Sequence, residues 1–189
     1  MRVKVREVAI VSRGRHTSPN DREKRESKNL LKTAILRYAN VDLYSENLLL
    51  ENTIKANENF EEVYIDLYGK YANSIVQSQE LILPVNSKNK LAKFINRSAN
   101  FENLIYSNEI IYLKVNRDKI EPKFLYFILT LPEMVNKLSE EKKLKCETVE
   151  EIEFELPDKN EQQKVVKQLE KVNLKRLEIE NYLKKMINK

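Results

Sequence analysis

Residues 149–189 read VEEIEFELPDKNEQQKVVKQLEKVNLKRLEIENYLKKMINK, and they divide at Pro157. Before the proline, Val149, Ile152, Phe154 and Leu156 alternate imperfectly with acids, which predicts a late strand that Pro157 ends. Glu150, Glu151, Glu153 and Glu155 then mark the solvent face of that strand rather than a metal site. After it, Asn160 to Lys189 holds no proline or glycine and is dominated by helix formers. Asp158 or Asn160 can cap this helix, with Glu161 in its first turn opposing the dipole. Apolar residues fall at Val165, Leu169, Val172, Ile179, Leu183 and Met186, and Arg176 occupies the gap. The steps of 4, 3, 7, 4 and 3 make a heptad seam. Thirty residues at the helical rise give a rod of about 45 Å. An amphipathic rod of this kind is not stable alone, so the seam calls for a partner helix. Arg176 within it would pair with an acid across the interface or snorkel to water.

Upstream of this segment the pattern is mixed. Val3–Val11 reads as an opening strand or short helix and runs into the polar turn Ser12–Asn20. Asp21–Lys28 (DREKRESK) is a dense run of mixed charge, a solvated helical turn or a loop. Leu30–Tyr38 and Val41–Leu50 are β-compatible or short helical pieces. Glu62–Leu67, Ile75–Pro84 and Ile105–Val115 are rich in β-branched and aromatic residues and predict strands. Pro122 sits where a helix can start, so Lys123–Thr130 reads as a helix. Pro132 breaks or kinks it, and Glu133–Glu141 reads as another. The fold class that follows is α+β: a globular mixed domain over residues 1–157 and a helical coiled-coil arm over 158–189.

Composition removes several functional classes. The chain has 189 residues, enough to bury a core without disulfides. Its single cysteine, Cys146, cannot form an intramolecular bridge, and a reducing, cytoplasmic setting is the expectation. Lys143 and Lys145 beside Cys146 could lower its pKa, although a structural thiol is the alternative. Two glycines, Gly14 and Gly69, cannot build a phosphate-cradling loop. One histidine, His16, is at odds with most hydrolytic triads and most metal sites. No apolar run is long enough to span a bilayer. The net charge of +5 suits a polyanion, since each Lys or Arg on a phosphate releases condensed counterions.

Three stretches, in this order, resemble the specificity subunit of Type I restriction–modification systems. Glu80-Leu81-Ile82-Leu83, within Val76–Ile95, is similar to the family's P-G-D-I-L-I-S strand. Ile105–Leu131 resembles an S-N-x-I-x-L-x-V strand followed by I-x-P-x-F-L-Y-Y-x-L, here Ile120 to Leu129. Val149–Val166, with Ile152–Pro157 followed by Glu161-Gln162-Gln163, is similar to I-x-I-P-L-P-x-x-x-E-Q-x-x-I-V and likewise runs into a long helix. Val5–Thr17 resembles the family's opening, with Gly14 matching the glycine after the first strand. The chain departs from the pattern in three places: the first tryptophan is missing, Gln79 replaces the glycine of the G-D pair, and no second proline follows Leu156. Arg22–Tyr71 carries little of the signature. A full specificity subunit resembles two such units in tandem, so this chain looks like a half-subunit.

The resemblance implies a non-catalytic module that reads double-stranded DNA and directs a DNA methyltransferase subunit, with or without a nuclease. S-adenosylmethionine would bind that partner, and no cofactor is expected in this chain. Base readout requires bidentate donors and acceptors on loops. The candidates are Arg13, Arg15 and His16 beside Gly14, then Arg22, Lys24, Arg25 and Lys28, and a second group of Asn86, Ser87, Lys88, Lys90, Lys93 and Arg97 around a turn. The alternative for each is a solvated surface charge. Tyr64, Tyr68 and Tyr71 could stack on DNA or contact sugar, or belong to the core. The helix would pair through Val165, Leu169, Val172, Arg176, Ile179, Leu183 and Met186, in a homodimer, with another half-subunit or with helices of a methyltransferase subunit. A different class, a protein–protein adaptor or decoy that keeps the fold without DNA readout, would tolerate neutralisation of the basic loops.

Overall fold

The computed structural model describes residues 1–17, 30–41, 52–53, 60–77, 79–96 and 103–187. Its central element is a five-stranded sheet in the order β2-β9-β6-β7-β4, formed by β2 (Ala9–Arg13), β9 (Ile110–Val115), β6 (Glu80–Pro84), β7 (Lys93–Asn96) and β4 (Asn52–Thr53). β6 is buried along its whole length, which explains its unbroken apolar reading. Period-two alternation sends its side chains into two different cores. Leu81 and Leu83, with Ile111 and Leu113 of β9, face a helical layer. Ile82, with Ile110 and Tyr112, faces a second sheet.

That second sheet has the order β5-β3-β8: β5 (Glu61–Ile65), β3 (Leu31–Leu36) and β8 (Leu104–Tyr106). β3 pairs antiparallel with β5 and parallel with β8. The rings of Tyr106 and Tyr112 stack between the two sheets with centroids 4.6 Å apart.

The helical layer contains α1 (Val5–Val8), α2 (Pro122–Thr130), α3 (Pro132–Ser139), α4 (Cys146–Glu150) and the first turns of α5 (Lys159–Ile187). Pro122 and Pro132 each sit in the first turn of their helix, where a missing N–H costs nothing. β1 (Arg2–Lys4) and β10 (Glu153–Glu155) pair antiparallel, joining the start of the chain to the segment before α5. Arg2, Lys4 and Arg6 face Glu151 and Glu153 across this pair in a surface ion-pair ladder. No group of acids, His and Cys among the described residues could hold a metal. Nor is any described helix long and apolar enough to cross a membrane.

Four expectations about the elements change. Val3–Val11 is neither strand nor helix alone; it is strand, one helical turn and strand, because Val5 and Val8 are buried at helical spacing while Ala9 and Val11 alternate. Ile75–Pro84 is strand only from Glu80, since Gln79 takes a left-handed φ of 62° that breaks extended pairing. Ile105–Val115 is two strands: Ser107, Asn108 and Glu109 turn the chain from the smaller sheet to the larger, with Ile110 N donating to Ser107 O at 3.1 Å. Val149–Leu156 is strand only over Glu153–Glu155. Val149 and Ile152 are both buried at a spacing of three, and Val149 belongs to α4. Val41 is buried, while 42–50 and the mixed-charge run 21–28 lie outside the described residues.

α5 starts where the capping residues allow. Asp158 is the cap: its Oδ1 accepts from Glu161 N at 3.0 Å. Gln162, almost fully buried, accepts from Glu121 N at 2.7 Å and donates to Pro157 O at 2.8 Å. Lys123 and Glu170 form an ion pair at 2.8 Å one layer further along. Through Val166 the helix therefore remains part of the globular core.

Candidate nucleic-acid interface

β2 reaches the end of the large sheet at Arg13, opposite Ile111, and β6 reaches the same end at Pro84, opposite Ile110. The backbone fixes what lies there. Gly14 N donates to Ile110 O at 2.9 Å, and Val85 N donates to Glu109 O at 2.8 Å. The loop after β2 and the loop after β6 are thus pinned to the two sides of one turn, 107–109. Arg13, Arg15 and His16 of the first basic group, and Asn86, Ser87 and Lys88 of the second, belong to this one end of the sheet.

Gly14 makes the first pinning possible. A Cβ at this position would sit 2.0 Å from Ser107 O and 2.6 Å from Tyr106 O, so any side chain would push the loop off the turn. With the loop held, Arg13, Gly14, Arg15 and His16 line a cleft of about 550 Å³ together with Ser12, Asn73, Ser74, Asn108 and Tyr112. A smaller neighbouring cleft shares Arg15, His16 and Asn108 and adds Arg37, Glu61 and Ser107. Arg13, Arg15 and His16 are exposed. Arg13 Nε donates to Asn108 O at 2.7 Å, which orients its guanidinium, and Arg37 is paired with Glu61 at 2.9 Å. The floor is aromatic: Tyr112 donates to Asn73 O, and burial raises its pKa.

In the loop after β6, Asn86, Ser87 and Lys88 are exposed. The same loop corrects two expectations. Lys90 is fully buried, with its ammonium donating to Val85 O at 2.5 Å; burial lowers its pKa. Lys93 lies on β7, nearly buried, donating to Tyr38 O at 2.9 Å and to Val41 O and sitting 3.8 Å above the Tyr38 ring. Neither ammonium faces outward, so neither is placed to meet a phosphate. Both instead donate to backbone carbonyls: Lys90 shares Val85 O with Leu144 N, and Lys93 shares Tyr38 O with Val41 N while also reaching Val41 O. Arg22, Lys24, Arg25, Lys28 and Arg97 lie outside the described residues.

The sequence left other residues of this end unmarked. Asn73 and Ser74 are uncharged and no pattern sets them apart, while Ser107 and Asn108, the S-N of the strand motif, read as part of a strand. The turn at 107–109 and the short turn 72–74 bring them to the cleft. The connector between α3 and α4 arrives there too, because Leu144 is buried and its N–H donates to Val85 O at 2.9 Å. Lys143 and Lys145 flank that anchor and are exposed. Cys146, which follows them, is pushed upward by burial and by Glu147 and Glu150, not lowered by the lysines. Its side chain packs against the core of the helical layer. Of the three tyrosines, Tyr71 is core, Tyr64 is half-buried and Tyr68 is exposed.

On α5 the seam divides. Val165 packs on the domain's own core and Leu169 is half-buried, whereas Val172, Ile179, Leu183 and Met186 are each half or more exposed. Arg176 is exposed as well.

The model of the Type I restriction modification DNA specificity domain matches residues 2–189. The chain belongs to that family. Solved structures share the fold of this specificity domain. A chain from a study of complex assembly and conformational transition in a Type I restriction–modification system matches with a TM-score of 0.61 at 15% identity over 98% of this chain. The HsdS subunit of Thermoanaerobacter tengcongensis gives 0.59 at 16% identity over 94%, and the S subunit of M. genitalium 0.52 at 11% over 99%. The specificity domain spans 43%, 39% and 43% of those three chains, respectively. No curated protein matches it.

Proposed function

We propose that this specificity domain reads one part of a split duplex-DNA target through the end of its large sheet, without catalysis of its own, and directs a methyltransferase subunit to it. The observation that carries the reading is the pinning of two loops to the 107–109 turn, which gathers exposed Arg13, Arg15, His16, Asn86, Ser87 and Lys88 at one end of a rigid scaffold. Arginine, histidine, asparagine and lysine are the side chains that pair with base edges or phosphates. Loops held by a sheet keep such donors in register. The exposed apolar face of α5 supports a second role, as the arm that pairs with a second recognition unit and sets the distance between half-targets. S-adenosylmethionine would belong to the methyltransferase partner.

The test is selection from a randomised duplex pool by the purified protein at two salt concentrations, followed by sequencing. A short enriched motif that survives the higher salt is the expected result, doubled across a fixed spacer when two copies pair. Binding that vanishes with salt and enriches nothing would reduce the surface to a generic polycation site. No binding at low salt would overturn DNA readout in favour of an adaptor role.

A further inference from the structure

Between β5 and β6 the chain makes a short turn, Asp66-Leu67-Tyr68-Gly69-Lys70-Tyr71, with an unusual division of burial. Leu67 and Tyr71 are each 2% exposed and anchor it in the core under the smaller sheet. Tyr68, between them, is 73% exposed. The turn is closed by Asp66, whose Oδ1 accepts from Gly69 N at 3.0 Å. Position 69 admits no side chain while that bond holds, since a Cβ would stand 2.2 Å from Asp66 Oδ2. Tyr68 is thus a large amphipathic ring on a backbone fixed from both sides and from within.

From the end of β5 at Ile65, opposite Leu31, the turn brings the chain back towards Ile35 and Glu61 and the cleft wall. Ala72 N donates to Gly69 O at 3.3 Å and Ser74 N to Tyr71 O at 2.8 Å, so two successive tight turns carry the chain from Gly69 to Ser74. Asn73 and Ser74 line the cleft with Arg13, Arg15 and His16, and Asn73 O is held by the hydroxyl of Tyr112 on the sheet floor. Lys70 lies exposed beside Tyr68.

We infer that Tyr68 is a DNA-contacting residue that packs its ring on the sugar–phosphate wall of the duplex bound at the Arg13–His16 cleft; this rests on the function proposed above. A tyrosine loses only two side-chain torsions on binding, and its backbone is already fixed, so the contact costs little ordering entropy. Its ring offers apolar surface to deoxyribose while its hydroxyl stays free to meet a phosphate oxygen. The contact is uncharged and releases no counterion of its own. It therefore adds affinity without adding to the salt dependence, which separates it from Arg15 and Lys88.

The chain has no tryptophan, so Tyr68→Trp installs a single indole at this position. Titration of that variant with the selected duplex should change its emission and saturate at the binding stoichiometry, while heparin at equal phosphate leaves it nearly unchanged. Tyr68→Ala should weaken duplex binding by about five- to tenfold, near the low end of aromatic–nucleotide contacts. The slope of log K against log salt and the thermal midpoint should stay as in the unsubstituted protein, and Tyr68→Phe should recover most of the loss. Indole emission unmoved by saturating duplex, or moved equally by heparin, overturns the inference. So does a Tyr68→Ala protein that binds as tightly as the parent. In both cases the parent still selects its motif, so the proposed function stands. A parent that selects no motif removes both.

Discussion

At the scale of single residues, Gln79 and Glu80 show what the resemblance alone could not. The family pattern has glycine where this chain has Gln79, and the structure gives the reason for that glycine: φ here is 62°, the left-handed region that a Cβ disfavours. Gln79 N nevertheless donates to Ile95 O at 2.7 Å, so the strained residue is held by β7. Gln79→Gly should raise stability by about 0.5–1 kcal/mol, the relief of strain being partly offset by a freer unfolded chain. Urea unfolding midpoints of the two proteins decide it, and a lower midpoint for the glycine protein would mean the strain is not felt. Glu80, next in sequence, is a buried carboxylate that accepts from Tyr106 Oη at 2.6 Å and Gln77 N at 2.8 Å, with Lys114 4.0 Å away. Burial raises its pKa despite these partners. A raised folded value means the folded state holds the proton better than the unfolded one. The stabilisation is complete below the ordinary carboxylate range and is lost as pH rises through the raised value. Glu80→Gln should therefore flatten the fall in thermal midpoint from about pH 4.5 upward. A fall as steep as in the parent would assign the dependence to another group.

At the scale of elements, legibility followed periodicity. α2, α3 and α5 could be read because prolines and caps mark their starts and their faces repeat at helical spacing. β8 and β9 merged into one expected strand because Ser107-Asn108-Glu109, the polar break between two apolar runs, is short enough to read as part of a strand, whereas it turns the chain from one sheet to the other. The same limit applied to the site. Charge predicted a basic loop after β6, but charge cannot say which ammonium turns inward. Lys90 and Lys93 do so, donating to backbone carbonyls; Lys88 does not. This difference is testable in one series. Lys88→Ala and Arg15→Ala should each reduce the salt slope of DNA binding by about 1, with little change in stability. Lys90→Met should leave the slope unchanged and shift the unfolding midpoint only slightly, because Leu144 N still donates to Val85 O once the buried ammonium is gone. A changed slope in Lys90→Met would place that ammonium on DNA after all. The junction between α2 and α5 depends likewise on one side chain. Gln162 satisfies the N–H that precedes Pro122 and the carbonyl of Pro157 together, so Gln162→Leu should cost about 1–3 kcal/mol in the same urea assay. An unchanged midpoint would show that water replaces it.

At the scale of the whole molecule, the structure separates the sheet end proposed to read DNA from a helical arm. The first turns of α5 are cemented to α2 through Gln162, Val166 and the Lys123–Glu170 pair, so the helix leaves the globular core in a fixed direction. Beyond them, Val172, Ile179, Leu183 and Met186 expose a seam that its own domain does not cover. A helix with an exposed apolar stripe is short of the burial that would stabilise it, and a second α5 packed against that stripe would supply it in two-fold symmetry. Each fixed arm would then set the spacing between two reading ends. Ile179→Asp combined with Leu183→Asp places charge in the seam without touching Val166 or Gln162. Sedimentation at micromolar concentration should show the parent as a dimer and the double variant as a monomer with its globular fold intact. Duplex selection should change in parallel, from two half-motifs at a fixed spacing to one half-motif bound more weakly. A parent that sediments as a monomer while still selecting a doubled motif would show that DNA, not the seam, brings the two copies together.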